Sequence, residues 1–194
     1  MSQNIKTIIF VLIMGLITSL TLLGVEALTA DRIQNNQDAE IKAAILDAYG
    51  ITYTAADINT IFDDSVEIVV IGEWTFYVDE VSGNISYAFL GNGVWGPIEG
   101  IITLQSDFET IVKIAVLQQE ETPGLGGVVA EPQYLATFIG KKMVPSLEIN
   151  KDPALNLINE VDAIVGATNT SKRFETLLNA NYANAKSAWL SQNE

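Results

Sequence analysis

The chain has 194 residues, with 10 lysines and arginines against 24 aspartates and glutamates, giving a net charge of −14. That balance argues against a nucleic-acid partner, because neutralising phosphates needs a basic surface. Cysteine and histidine are both absent, which excludes disulfides, thiolate-bound iron–sulfur clusters, His- or Cys-ligated haem and the usual zinc sites.

The first element is apolar. Thr7 to Val25 is a run of nineteen residues without a charge. At about 1.5 Å per residue it nearly spans a hydrocarbon core of roughly 30 Å. It exceeds the roughly 7–15 residues of a secretory h-region, which favours a retained anchor over residues 1–30, although Leu28-Thr29-Ala30 would fit a signal cleavage site. Lys6 precedes the run and Glu26 and Asp31 follow it. By the positive-inside rule the N-terminus lies inside and a domain of residues 31–194 lies on the extracytoplasmic side.

Beyond the anchor, Ile33, Ile41, Ala44, Ile45, Ala48 and Tyr49 recur at helical spacing, predicting an amphipathic helix that continues from the anchor and ends near Gly50. Ala55 to Ser65 reads as a short helix or loop. Then the period changes. Val66 to Ile71, Trp74 to Val78 and Ile85 to Leu90 are short, β-branched and aromatic, punctuated by Gly72-Glu73 and Ser82-Gly83-Asn84, as in antiparallel hairpins. Glu99 to Leu104 and Thr110 to Leu117 are two more strands. Glu120 to Gly127 is expected to be a loop, since Pro123 and three glycines disfavour an element interior. Pro132 to Phe138 suggests a short helix, and Phe174, Leu177, Leu178, Tyr182, Ala185 and Trp189 form the apolar stripe of a C-terminal one. The expected fold class is α+β: an antiparallel sheet with flanking helices behind one N-terminal transmembrane helix.

Three segments stand out from this framework: Gly93-Val94-Trp95-Gly96-Pro97-Ile98-Glu99-Gly100, Glu120-Glu121-Thr122-Pro123-Gly124-Leu125-Gly126-Gly127, and Asp162-Ala163-Ile164-Val165-Gly166-Ala167-Thr168-Asn169-Thr170-Ser171. Taken alone, the last is an ordinary loop and helix N-cap. In this order, with Gly140-Lys141-Lys142, the set resembles the FMN-binding subunits of the sodium-translocating NADH:quinone reductase and of the related ferredoxin:NAD reductase. The resemblance covers roughly residues 85 to 180. It implies a membrane-anchored electron carrier, with partners among the other membrane subunits of a redox-driven ion pump. It also implies FMN joined to Thr168 by a phosphoester, a flavin transferase acting during maturation, and Asp162 as that enzyme's recognition residue. Val165 departs from the family, which has Ser or Thr there.

Read physically, the residues suit these roles. Gly166 and Ala167 leave no bulk beside the Thr168 hydroxyl. A phosphate there would lie near a helix N-terminus, where free N–H groups favour negative charge. Asn169 and Thr170 adjoin it as further cofactor contacts. Gly124 and Gly126 permit close backbone approach to a flat ring, and Leu125 offers an apolar face. Glu121, Thr122 and Pro123 would fix that loop or meet flavin heteroatoms, and Trp95 and Gly96 would complete the pocket. A minority alternative for Glu121 is a solvated or structural carboxylate, and for Trp95 a core aromatic. Two competing functions remain: a stalk-anchored binding or sensing module outside any pump, and a hydrolase or transferase using Glu99 or Glu121 as base. The second lacks a nucleophile–base pair.

Overall fold

The computed structural model describes residues 3–150 and 157–191; the outer bounds of the expected anchor and domain, Met1 and Glu194, lie outside them. Its contacts divide the chain into Met1–Glu40 and Ile41–Glu194.

Helix α1 (Gln3–Tyr49) is continuous through the apolar run and the amphipathic stretch that follows. It is long and apolar enough to cross a membrane. Its threonines satisfy themselves: the hydroxyls of Thr18, Thr21 and Thr29 donate to the carbonyls of Met14, Ile17 and Val25 at 2.8–2.9 Å. The preceding turn supplies the acceptor, as a helix without access to water would require. Gly50, at φ 71°, ends the helix where only glycine turns left-handed without strain.

In the second unit, α2 (Ile58–Ser65) leads into a five-stranded antiparallel meander. Its strands are β1 (Val66–Ile71), β2 (Trp74–Asp79), β3 (Ile85–Asn92), β4 (Pro97–Leu104) and β5 (Ile111–Gln119), each paired with the next. The sheet buries both faces. Phe76, Ile85, Tyr87, Phe89 and Ile102 form one side of the larger core, which α4 (Thr168–Leu190) completes with Phe174, Leu177, Leu178 and Tyr182. On the other face Val66 and Ile101 pack with Ile45, Leu46, Ile58 and Phe62 from α1 and α2. A small polar chain ties α1 to this face. The Tyr49 hydroxyl donates to the Tyr77 carbonyl at 2.6 Å, Ser86 Oγ donates to the Tyr49 oxygen at 2.9 Å, and Ser86 and Thr103 hydroxyls lie 2.7 Å apart.

Three local features depart from the sequence expectation. Gly126 and Gly127 open a 3-10 turn, Gly126–Ala130, rather than lying in plain loop; their small size lets the chain coil tightly there. The expected helix at Pro132 is one turn of α3 (Pro132–Leu135), tightening into a 3-10 turn at Ala136–Phe138. A parallel pair, β6 (Glu148–Asn150) and β7 (Glu160–Asp162), was not expected. Asp162 therefore ends a strand.

Candidate functional site

Glu121 organises the region where the three singled-out segments meet. The β3–β4 hairpin closes through a turn in which the Gly93 amide donates to the Gly96 carbonyl at 2.8 Å. That turn aims the amides of Val94 and Trp95 at Glu121 Oε1, at 2.6 and 3.0 Å. The other carboxylate oxygen, Oε2, accepts from Thr170 Oγ1 at 2.8 Å. With its own amide donating to Gln119 Oε1 at 2.6 Å, Glu121 is only 4% exposed. A carboxylate so buried is tolerated only with such partners. It clasps the hairpin, the glycine loop and the first turn of α4.

Two glycines make room for the clasp. A β-carbon at Gly93 would strike Glu121 Oε1, and one at Gly126 would strike Glu121 Oε2 and lie 2.7 Å from Thr170 Oγ1. Close approach to the carboxylate, not backbone conformation, fixes glycine at both positions.

The segment around Thr168 is built just as specifically. After β7 the chain turns at Gly166, whose φ of 82° suits glycine. Ser171, 1% exposed, donates through Oγ to the Ala167 carbonyl at 3.1 Å and accepts the Ile164 amide at 3.0 Å. Helix α4 then starts at Thr168, and its N-cap, Ala167, makes no side-chain capping bond. Thr168 is exposed at the first position of a 23-residue helix. The backbone N–H groups of that turn and the positive end of the dipole are left for another acceptor.

Together these segments line a cavity of about 300 Å³. Its walls include Trp95, Glu121, Thr122, Leu125, Gly126, Gly166, Ala167, Thr168, Asn169 and Thr170, all among the residues singled out in the sequence. Val94 joins them, which sequence reasoning did not assign. Three expected residues are not in the lining. Pro123 and Gly124 form the exposed outer bend of the loop, and a β-carbon at Gly96 would lie 2.7 Å from Glu120 Cβ. Trp95 is 72% exposed and Leu125 46% exposed, so Trp95 is no core aromatic. Two apolar side chains stand at the rim beside an unencumbered hydroxyl.

Asp162 lies elsewhere. With Tyr134, Thr137, Lys141 and Val165 it lines a second cavity of about 240 Å³. Burial pushes the Tyr134 hydroxyl well above its ordinary value, so it stays protonated. Val165 is 94% exposed. Among the described residues no cluster of His, Cys, Asp or Glu suits a metal ion.

Residues 93–183 match the FMN-binding domain model. Over 95 residues the chain is 37% identical to the C subunit of the Na(+)-translocating NADH-quinone reductase of Neisseria meningitidis serogroup A, covering 46% of this chain and 37% of that one. Over 116 residues it is 33% identical to the C subunit of the Pseudomonas aeruginosa reductase, covering 54% of this chain and 44% of that one. The matched stretch thus spans less than half of these curated relatives. Among solved structures, NqrC of Shewanella oneidensis superposes with a TM-score of 0.65 at 20% identity, covering 74% of this chain and 90% of that one. The C subunit of the Parabacteroides distasonis reductase gives 0.64 at 26% identity, covering 76% and 89%. The motif resemblance and the α+β fold both hold.

Proposed function

We propose that this chain, whose residues 93–183 match the FMN-binding domain and whose relatives are C subunits of Na+-translocating NADH-quinone reductases, carries FMN as an electron carrier. In this reading it is a membrane-anchored subunit of a redox-driven, ion-translocating NADH:quinone or ferredoxin:NAD oxidoreductase complex. The N-terminal helix serves as its single-pass anchor. Residues 31–194 form the FMN-binding domain, on the extracytoplasmic side of the cytoplasmic membrane. Its partners are the other membrane subunits and, during maturation, a flavin transferase that recognises Asp162.

One observation carries the reading. An exposed threonine at the head of an uncapped helix shares a cavity with a glycine loop and a rim tryptophan, in a domain that matches an FMN-binding family. The fit to FMN is good. A cavity of about 300 Å³ is at the lower end of the range for small-molecule sites, and its open rim suits a group held partly outside it. We assign Thr168 as the point of phosphoester attachment. The N–H groups of Thr168, Asn169 and Thr170 would face the phosphate, while Trp95 and Leu125 would contact the flavin ring. When bound, the flavin supplies the electron-accepting and electron-donating chemistry. The chain's own residues bind, orient and shield it, and Glu121 holds the walls together.

Intact mass of the full chain purified after co-expression with a flavin transferase tests this. The expected result is a mass increased by one FMN ester, lost in Thr168→Ala together with in-gel flavin fluorescence. An unmodified, colourless wild-type chain would overturn the proposal and favour the binding or sensing module. Fluorescence retained in Thr168→Ala would move attachment to Thr170 or Ser171.

A further inference from the structure

Helix α4 begins with an unusual distribution of charge. A helix N-terminus favours Asp and Glu, yet the first turn of α4 has neither. From Ala163 to Phe174 the only charged residues are Lys172 and Arg173, in a chain where acids outnumber bases 24 to 10. The start of the helix is thus furnished for an anion that the neighbouring sequence does not supply.

Helix geometry separates the two cations. At about 100° per residue, Lys172 stands about 40° around the helix from Thr168 and one turn further on, whereas Arg173 stands about 140° away. Residues four apart have β-carbons about 5–6 Å from each other, and helical side chains lean toward the N-terminus. The Lys172 stem can therefore lie over the turn that carries the Thr168 hydroxyl. In the structure it is turned the other way: Lys172 Nζ donates to Glu175 Oε1, three residues on. Glu175 is anchored from elsewhere. Its Oε2 accepts the Ile149 amide at 2.6 Å, and its side chain is 12% exposed against 67% for Lys172. The carboxylate is fixed and the ammonium is the partner free to turn, in an exposed pair of small worth.

We propose that Lys172 is a positioning residue for the flavin phosphate, turning from Glu175 to the phosphodiester on Thr168. The inference rests on the attachment proposed above and deepens it. A phosphodiester between FMN and a threonine keeps one negative charge, on oxygens that only accept hydrogen bonds, and a lysine ammonium brings three donors to it. The backbone N–H groups of the first turn hold the phosphate from the helix side, and Lys172 closes on it from the solvent side. Glu175 keeps its bond from Ile149 when Lys172 leaves. A second point of fixation limits how far the tethered ring can swing from Trp95 and Leu125.

Thermal unfolding of the full chain in detergent, expressed with and without a flavin transferase, tests this. Each variant serves as its own reference, so loss of the Glu175 pair cancels, and intact mass establishes the flavin content of every sample. Attachment should raise the Tm of wild type by about 1–4 °C more than that of Lys172→Gln, the size expected of a partly exposed ion pair in a chain of this length. Lys172→Arg should retain the difference. In 1 M salt, where the screening length is about 3 Å, it should vanish. Arg173→Gln removes an equal charge from the adjacent position and should lose less of the stabilisation. Equal stabilisation of wild type and Lys172→Gln, or an equal loss in Arg173→Gln, overturns the inference, and so does a difference that persists in 1 M salt. A wild-type chain without flavin after co-expression refutes the proposed function and the role of Lys172 with it; flavin present without the difference removes Lys172 alone.

Discussion

Replacing Glu121 by glutamine changes a charge and a single atom, in the place where three segments meet. The carboxylate accepts three hydrogen bonds, from Val94 N, Trp95 N and Thr170 Oγ1. Bonds to a charged acceptor are worth about 1.5–3 kcal/mol and neutral ones about 0.5–1.5, so the exchange forfeits about 1 kcal/mol per bond and about 3 kcal/mol gross. A neutral amide is cheaper to bury, which returns about 1–2 kcal/mol. The net cost is about 1–2 kcal/mol, equivalent to a fall in Tm of about 2–8 °C for a domain of this size. Thr170→Val, which leaves Oε2 without its donor, should cost about 1–3 kcal/mol. Thermal unfolding of the full chain in detergent, run on both single variants and the double, measures the coupling. We expect the two single losses to exceed the double by at least about 0.5 kcal/mol, as for groups in direct contact. Covalent flavin should persist in all three, since Thr168 is untouched. Strict additivity with an unchanged Tm for Glu121→Gln would refute the clasp.

Gly166→Val should destabilise the chain by about 1–3 kcal/mol, because it forces a β-branched residue to φ 82° and brings its β-carbon 3.2 Å from Leu125; denaturant unfolding reads it. Tyr49→Phe removes the bonds to the Tyr77 carbonyl and Ser86 and should cost about 1–2 kcal/mol in the same assay. Burial alone would raise Asp107, but bonds from the Thr110 amide and hydroxyl and the Glu109 amide, with Lys142 nearby, outweigh it and hold its carboxyl below the ordinary 3.8. The stability it contributes is present above that ordinary value and disappears as pH falls through the lower folded one. Stability of Asp107→Asn measured against pH should therefore converge on wild type only in that acid range.

The meander was legible because β-branched runs and paired turn residues such as Gly72-Glu73 mark hairpins locally. α1 was legible from its period. The parallel pair β6–β7 was not: three residues such as Glu148-Ile149-Asn150 carry no period, and each pairs with a residue twelve positions on. That pairing, in turn, sets Asp162 apart from the cavity of Thr168. Nor could the sequence show that Glu121 is a clasp, because a single carboxylate looks the same whether it meets ligand or backbone. The trace it left is Gly93 and Gly126, two glycines with no left-handed backbone to justify them, whose reason is visible only once the chain has folded around the carboxylate.

The clasp also orders events in time. It joins residues 27 and 49 positions away from Glu121, so it forms only when the hairpin and α4 have both docked on the sheet. Thr168 is presented beside that clasp, on a turn held by buried Ser171. A transferase that needs this presented hydroxyl would pass over an unfolded chain and modify a folded one. Flavin attachment, if it occurs as proposed, would then act as a certificate of folding.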